Sequence, residues 1–530
     1  MTSLPIRAVF REQVARAAGA NRLVIAVLAV LSAALLAVAM LSLRWRAVHD
    51  LPIMMYLGFL MDRFGYVPYR DFFDFNMPGM HIVSFVIGRT IGYSDLGLRI
   101  FDLGYLALVL IVTWMYMRKL GVMVGWAGSV LCGVSYLWYG PYQSLQREYI
   151  LILPLALAVW IAFSDRPRAW WVKPAGVGLM FGLAATIKLH SAIGLPMVLW
   201  YVFRERDTQE SGKAASRDKL RVAGVAVAAF VLPLAAMLLY LWVTGALAPF
   251  WDIATRYWPL YAGLALNHQT IFGWMRLLYL IERYAALGGL GLWVMPAVIG
   301  MYGALFCAPL RHRQNPRVVL LVGMMVLYSI YPVIAGQFWS YHWLLFQYFV
   351  LQVGALCLVE LRPELPRVQR VFPVAAFLVV IALKIAAPHE WLAREKYLRE
   401  LPHIGKVDDI ATFLKVNLKP GDTVQPLDWT DGAVHSMLIA KARIATRFVY
   451  AFSFYHHISS PYIKGLRKNF LAELERARPR FVIRMMGGFP WVHGLDTTED
   501  FDDLDKFIER DYQVAYKGSE FLIYERLGQR

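Results

Sequence analysis

The residues of this chain best equipped for chemistry fall in four short clusters set among apolar sequence. The first is "RWRAVHDLP", where His49 and Asp50 follow the first apolar run. A carboxylate at a membrane edge, shielded by a loop, can take a proton from a hydroxyl. Asp50, two residues before Pro52, equally suits the cap of a helix. The second cluster, "GYVPYRDFFDFNMPGMH" (residues 65–81), sets Tyr69, Arg70, Asp71 and Asp74 among Phe72, Phe73 and Phe75. Arg70 can brace the carboxylates from within the loop, or Asp71 and Asp74 can hold a metal or an acceptor group. The rings suit either a lipid interface or the face of a sugar. The third is Gln146-Arg147-Glu148. It reads as a solvated helix start with Glu148 near the N-terminus, or as a guanidinium fork for a phosphate beside a further carboxylate. The fourth pairs Lys188 and His190 of "ATIKLHSAIGLP" with Tyr341 and His342 of "FWSYHW". A lone lysine there snorkels, whereas lysine, arginine and histidines on one rim make an anion site. On that reading Asp50 is the candidate base, and Arg147, Lys188, His190 and His342 are candidate phosphate ligands. His49, Tyr69, Arg70 and Tyr341 support them.

These clusters must be held by elements built for lipid. The chain has 530 residues, of which 58% are hydrophobic and only 17% charged, with a mean hydropathy of +0.48. That is a polytopic membrane protein, and its default element is the helix, because backbone polar groups in lipid must be satisfied within their own segment. Apolar length predicts spans near 23–42, 100–117, 122–139, 149–163, 174–189, 190–203, 222–244, 286–306, 318–335, 344–361 and 371–387. The stretch 79–95 is apolar but carries Arg89 and two glycines. If it lies at the surface, the basic groups Arg118/Lys119, Arg166/Arg168/Lys173, "RERDTQESGKAASRDKLR", "RHRQNPR" and "LRPELPRVQR" all fall on the N-terminal side, which the positive-inside rule makes cytoplasmic. The expectation is therefore about eleven spans plus one juxtamembrane helix. All four clusters and the first loop, about 43–98, then face outward.

Residues 1–388 read as the transmembrane domain and 389–530 as a soluble extracytoplasmic α/β domain. In the tail, "IGKVDDIATFLKVNLKPGDTVQPLDW" and "KNFLAELERARPRFVIRMM" each give an amphipathic helix, a breaker and a strand. "DLDKFIERDYQVAYKGSEFLIYERL" gives a helix and a hairpin. The loop 245–285, rich in Trp and Tyr, reads as interfacial helices with an aromatic belt, or as a cover over a lipid.

The formal charge of +17 sits largely in short loops between apolar runs, so it sets orientation and gives no reason to invoke nucleic acid. Cys132, Cys307 and Cys357 lie inside apolar runs and predict neither a disulfide nor a thiolate metal site. There is no phosphate-binding Gly-Lys-Ser/Thr loop and no His-Glu-x-x-His pattern, so no nucleotide is expected.

A carboxylate after the first span, a "PYRDF" loop entering a juxtamembrane helix, an outer "RE" turn, an outer-end lysine, a late Tyr-His loop and a terminal α/β domain together resemble the GT-C integral membrane glycosyltransferases. The similarity is to the branch of protein O-mannosyltransferases and the lipid A aminoarabinose transferase. The resemblance implies a polyprenyl-phosphate-linked sugar as donor, an extracytoplasmic glycan, lipid or protein as acceptor, and inverting displacement within a bacterial inner membrane. It assigns Asp50 to the first-loop aspartate and Asp71 and Asp74 to the second acidic region. There this chain has "DFNMPG" where the aminoarabinose transferase has a Glu-Lys-Pro-Pro run, and a divalent cation stays open. The alternative from another class is a transporter or lipid flippase, which would place its ionisable groups near mid-membrane.

Overall fold

The computed structural model describes residues 22–165, 169–207, 214–262, 274–275, 278, 282, 291–309, 315–335, 339–386, 405–492, 494 and 496–528. Helices dominate as far as residue 386: α1 (Arg22–Leu41), α2 (Asp50–Phe64), α3 (Pro78–Ile91), α4 (Asp95–Met117), α5 (Val122–Trp138), α6 (Arg147–Phe163), α7 (Val172–Ile187), α8 (Leu195–Asp207), α9 (Ala214–Val243), α10 (Gly291–Tyr302), α11 (Asn315–Ser329), α12 (Leu344–Ala355) and α13 (Arg367–Ala386). Each predicted span overlaps one of these helices, with residues 286–290 and 387 of two of them lying outside the described residues. Six helical runs among the described residues are long and apolar enough to cross a bilayer: Arg22–Arg44, Asp95–Leu120, Lys219–Val243, Asn315–Ile334, Ser340–Leu358 and Arg367–Ala386. The chain is an integral membrane protein.

The ambiguous stretch 79–95 resolves into α3 and the start of α4. At 14 residues, α3 covers about 21 Å, short of the hydrocarbon thickness of about 30 Å. Its apolar side chains Ile82 and Val86 are exposed while Gly79, His81 and Ser84 are buried. That one-sided burial makes α3 a helix laid against the bundle. The run Ser340–Leu358 is buried throughout and forms the bundle's centre, whereas α1, α9 and α13 keep most of their apolar surface facing outward.

Helix direction separates the two ends of the bundle. Lys119 Nζ and Arg317 Nη2 meet Asp165 at 2.5 and 2.8 Å, and Lys173 Nζ meets Glu205 at 2.6 Å. These basic loops share the end remote from the starts of α4 and α6. At the opposite end sits the C-terminal α/β segment, built from α14 (Lys406–Asn417), β1 (Thr423–Leu427), α15 (Ala433–Ala440), β2 (Arg443–Ile444), α16 (Pro461–Ala477), β3 (Phe481–Met485), α17 (Asp502–Asp511), β4 (Tyr512–Lys517) and β5 (Phe521–Arg526). Its sheet has the order β2-β1-β3-β5-β4. Parallel pairing joins β1 to β2 and β3, and antiparallel pairing joins β5 to β3 and β4. The helix-breaker-strand units and the terminal hairpin stand where the sequence predicts them.

This segment is clasped to the bundle by specific contacts. Arg46 reaches Asp408 at 2.5 Å and Asp95 at 2.9 Å, and His435 Nε2 reaches Asp95 at 3.0 Å. The Tyr56 hydroxyl donates to the Ala442 carbonyl at 2.8 Å, and Phe73 N–H donates to the Arg447 carbonyl at 2.7 Å.

Close helix packing fixes α7, whose end carries Lys188. Gly178 and Gly182, four residues apart on one face, lie so close to the Ala226 and Phe230 carbonyls of α9 that a Cβ at either position would overlap them. Small residues at this spacing let membrane helices approach where lipid offers no hydrophobic drive. Gly178→Val or Gly182→Val is expected to cost roughly 1–3 kcal/mol through overpacking. Gly224→Ala, which meets open space, should melt like the wild type in detergent-based thermal unfolding.

Candidate active site

The site forms where five segments end together: the start of α2, the loop 65–77, the start of α6, the turn after α7 and the turn Ser340–Trp343. Backbone geometry marks it. His49, just before α2, has φ 59°, Tyr69 has 68° and Leu145, two residues before Arg147, has 51°. Bulky residues seldom adopt this region, and such conformations persist where the surroundings over-determine them. Asp50 is the first residue of α2.

Arg147 is the hub. Its guanidinium is buried, donates from Nη2 to Asp50 Oδ2 at 3.0 Å and from Nη1 to Asn76 Oδ1. Asn76 Nδ2 in turn donates to both oxygens of Asp74 at 3.0 Å. Asp74, fully buried, also accepts from the Tyr450 hydroxyl at 2.7 Å and lies 3.1 Å from His81 Nε2. Burial, the largest influence, pushes the Asp74 carboxyl up. His81, then Tyr450 and Asn76, outweigh it and hold the group below the ordinary 3.8.

A second cluster adjoins through Glu148. Its Oε1 stands 2.5 Å from Lys188 Nζ, 3.3 Å from His342 Nε2 and 3.5 Å from the Tyr331 hydroxyl. Lys188 and His342 are themselves 3.4 Å apart. The His190 ring stacks obliquely on Tyr331 at 4.4 Å, one residue sphere behind Lys188. Tyr341 lies under the Arg147 guanidinium at 5.9 Å, and His49 Nδ1 is 3.3 Å from Asp50 Oδ1.

Asp50, Asp74, Arg147 and Tyr341 line one narrow cleft together with Asn76, Tyr261, Trp429 and Tyr450. The last four escaped the sequence reading. Trp429 follows the end of β1, the carboxyl edge at which open α/β sheets present loops to ligands. Its loop is held by Asp428, whose Oδ1 accepts from the Trp429 and Asp431 amides at 2.6 and 2.9 Å and whose Oδ2 accepts from Gly432 and Ala433 at 3.1 and 2.8 Å. Burial pushes the Asp428 carboxyl up to about 6 despite these amides.

Two predicted participants stand apart. Asp71 turns away from the cleft, where Arg70 forks it at 3.0 and 2.8 Å and Val67 N–H donates to it at 2.8 Å. Arg70 therefore braces Asp71 and makes no contact with Asp74. Tyr69 is buried and ties the loop to itself by donating to the Asn76 carbonyl at 2.5 Å. In the described part of the loop 245–285, Trp258 Nε1 donates to the Phe75 carbonyl at 2.8 Å and Tyr261 packs on Phe75 at 4.2 Å. That part covers the acidic loop. Residues 263–273 lie outside the described residues.

The carboxylates do not fit a divalent cation. No three His, Cys, Asp or Glu converge among the described residues, a guanidinium occupies the place beside Asp50, and both Asp74 oxygens are already bonded.

The membrane bundle, with its carboxylate and cation clusters at one end and an α/β segment docked there, is similar in fold to solved structures. Its solved structural neighbours include ArnT from Cupriavidus metallidurans bound to undecaprenyl phosphate, at TM-score 0.58 and 12% identity over 94% of this chain and 98% of that one. The apo state of the same ArnT matches at TM-score 0.55 and 12% identity, over 94% and 97%. Archaeal oligosaccharyltransferase AglB from Archaeoglobus fulgidus, in complex with an inhibitory peptide and a dolichol-phosphate, matches at TM-score 0.47 and 12% identity over 87% and 70%. No family model and no curated protein matches the chain.

Because Asp74 is held below 3.8 in the fold, its contribution to stability is complete above that value and is lost as pH falls through the lower, folded one. Asp74→Asn should melt lower than wild type at pH 7, and its melting temperature should fall less steeply between pH 4 and about 3. Equal slopes would remove Asp74 from this role.

Proposed function

We propose that the chain is a polyprenyl-phosphate-dependent glycosyltransferase, carrying a sugar from a lipid-linked donor to an extracytoplasmic glycan, lipid or protein acceptor. The observation that carries the reading is the Asp50–Arg147 ion pair at the cleft, with Lys188 and His342 one residue away at Glu148. It combines a base with a cluster able to receive a departing phosphate, on the fold that ArnT shares.

The residues account for both ends of the displacement. An acceptor hydroxyl attacks the anomeric carbon and gives its proton to Asp50. The bond from that carbon to the phosphate oxygen breaks, and the electron pair leaves with the phosphate. Charge developing on the phosphate is met by Arg147 and Lys188, with His342 and His190 behind them. At rest, the two cations are matched by Asp50 and Glu148. A donor phosphate competes for Arg147, and as the guanidinium moves to it Asp50 is released to act as base. One displacement inverts the anomeric configuration. Trp429 and Tyr261 offer ring faces to the sugar at the cleft wall. The membrane course is about eleven crossings with a cytoplasmic N-terminus, so that residues 389–530 form an extracytoplasmic domain. A flippase would put its ionisable groups near mid-membrane, whereas these gather at one end.

The test is transfer from a panel of polyprenyl-phosphate sugars in reconstituted membranes. Asp50→Asn should lower kcat by about 10²–10⁴ in protein that still unfolds in one cooperative transition, at a temperature below the wild type because Arg147 loses its counter-charge. Wild-type turnover in that variant would overturn the assignment. Arg147→Lys keeps a charge but loses the fork and should weaken donor binding more than it lowers kcat. Trp429→Ala should raise KM by roughly two- to tenfold, in line with about 0.5–1.5 kcal/mol for an aromatic contact.

A further inference from the structure

On the side of the acidic loop away from the cleft lies a second concavity with about 1240 Å³ of open space, lined by Arg70, Arg443, Arg447 and Arg476 against only two carboxylates, Asp71 and Glu473. Both carboxylates are already engaged: Asp71 by Arg70 at 2.8 Å, and Glu473 by Arg447 through its Nε and its backbone N–H, each at 3.0 Å. Arg443 and Arg476 make no ion pair among the described residues. Arg443 is steadied without being neutralised, its guanidinium 5.4 and 5.7 Å from the Phe64 and Tyr66 ring centres and its Nε donating to the Tyr66 hydroxyl at 3.1 Å. Arg476 only donates from Nε to the Ala472 carbonyl, at 3.1 Å. Both side chains are exposed.

The concavity also sits at a definable depth. Arg70 Nη1 donates to the Thr244 carbonyl at 2.9 Å, and Thr244 immediately follows the membrane-crossing run Lys219–Val243. Trp242 and Val243 at the end of that run are exposed to the surroundings, as aromatic and apolar side chains at a bilayer edge are. Arg70, on the wall that the groove shares with Arg443 and Arg476, therefore lies beside the end of that apolar run, where a bilayer's headgroups begin. Guanidinium forks suit phosphate oxygens.

We infer that this groove binds the phosphate of an anionic membrane lipid between Arg443 and Arg476. Such a site would seat the α/β segment on the lipid surface through the edge strand β2 and helix α16, beside the loop that carries Asp74. It rests on the groove and on the membrane course alone, and stands whether or not the chain is a transferase.

The full-length protein in detergent is titrated with dioctanoyl phosphatidylglycerol and, separately, with dioctanoyl phosphatidylcholine, following intrinsic tryptophan fluorescence or microscale thermophoresis. The wild type should prefer the anionic lipid by roughly tenfold or more. Arg443→Gln/Arg476→Gln should abolish most of that preference, and Arg443→Lys/Arg476→Lys should keep part of it. If the double variant melts differently, Arg476→Gln alone carries the comparison, since that side chain packs on nothing that the fold needs. Inorganic phosphate is the third probe. Displacement of the lipid by it shows that the groove takes phosphate from either source, and failure to displace shows that it needs the lipid-borne group. Equal affinity for the two lipids in the wild type, or an unchanged preference in the glutamine variants, overturns the proposal.

Discussion

The structure turns on a buried cation that two separate parts of the chain must share. Arg147 is withdrawn from water and bonded to Asp50 on one side and Asn76 on the other. Removing an ion from water costs several kcal/mol, recovered only when its partners are well placed, and stripping away one partner leaves the other charge exposed to a poor solvent. The starts of α2 and α6 and the loop between α2 and α3 are consequently tied to one geometry. Asn76 extends the tie to Asp74, and Tyr450 extends it to the α/β segment, 376 positions away in sequence. An unusual backbone at His49 and Leu145 is tolerated beside these ends because the bonding of the next residues leaves little choice.

The scaffold supplies rigidity where that network needs it. Lys188 follows the end of α7, so the contact of Gly178 and Gly182 with α9 sets how deeply its amine can reach toward Glu148. Gly79, at the start of α3, approaches the backbone of Thr186 as closely, which anchors the acidic loop to the same helix. Tyr341 and His342 open the centrally buried run Ser340–Leu358. The cation cluster is thus mounted on closely packed elements, and the α/β segment supplies a wall of the adjoining cleft through Trp429 and Tyr450.

Much of this was legible in one dimension, for identifiable reasons. Helices in lipid announce themselves by apolar length, and each of the eleven predicted stretches overlaps a helix, though among the described residues six runs meet the length needed to cross. The pattern of the tail survives because amphipathic helices, Pro-Gly turns and short buried strands each obey a local rule. Asp50, Asp74, Arg147, Glu148, Lys188 and His342 stood out because ionisable groups are costly in apolar surroundings. Asp71 stood out equally and lies elsewhere: its neighbour Arg70 offers a bidentate partner at the next position, a local bond that a sequence cannot distinguish from a functional one. Asn76, Trp429 and Tyr450 carried no signal. An asparagine in a loop and aromatics in a soluble segment are ordinary, and only the docking of the sheet onto the bundle gives them meaning.

The arrangement also bears on order of events in the transferase reading. A carboxylate hydrogen-bonded to a guanidinium has that oxygen already engaged and cannot reach an acceptor proton with it. In that reading a donor phosphate entering the cleft competes for Arg147, and the base is released as the donor binds. That coupling protects the site from abstracting protons idly, and it places the energetic cost of breaking the pair in the binding step, where the donor's phosphate contacts can meet it. Lys188 does not share this constraint. Its partner Glu148 is a different carboxylate, fully enclosed and touching His342 as well, so the amine remains beside the phosphate region through the whole exchange. Two cations with two separate counter-charges, one that yields and one that stays, are what a site needs if it is to be neutral when empty and strongly cationic toward a phosphate that gains charge as it leaves.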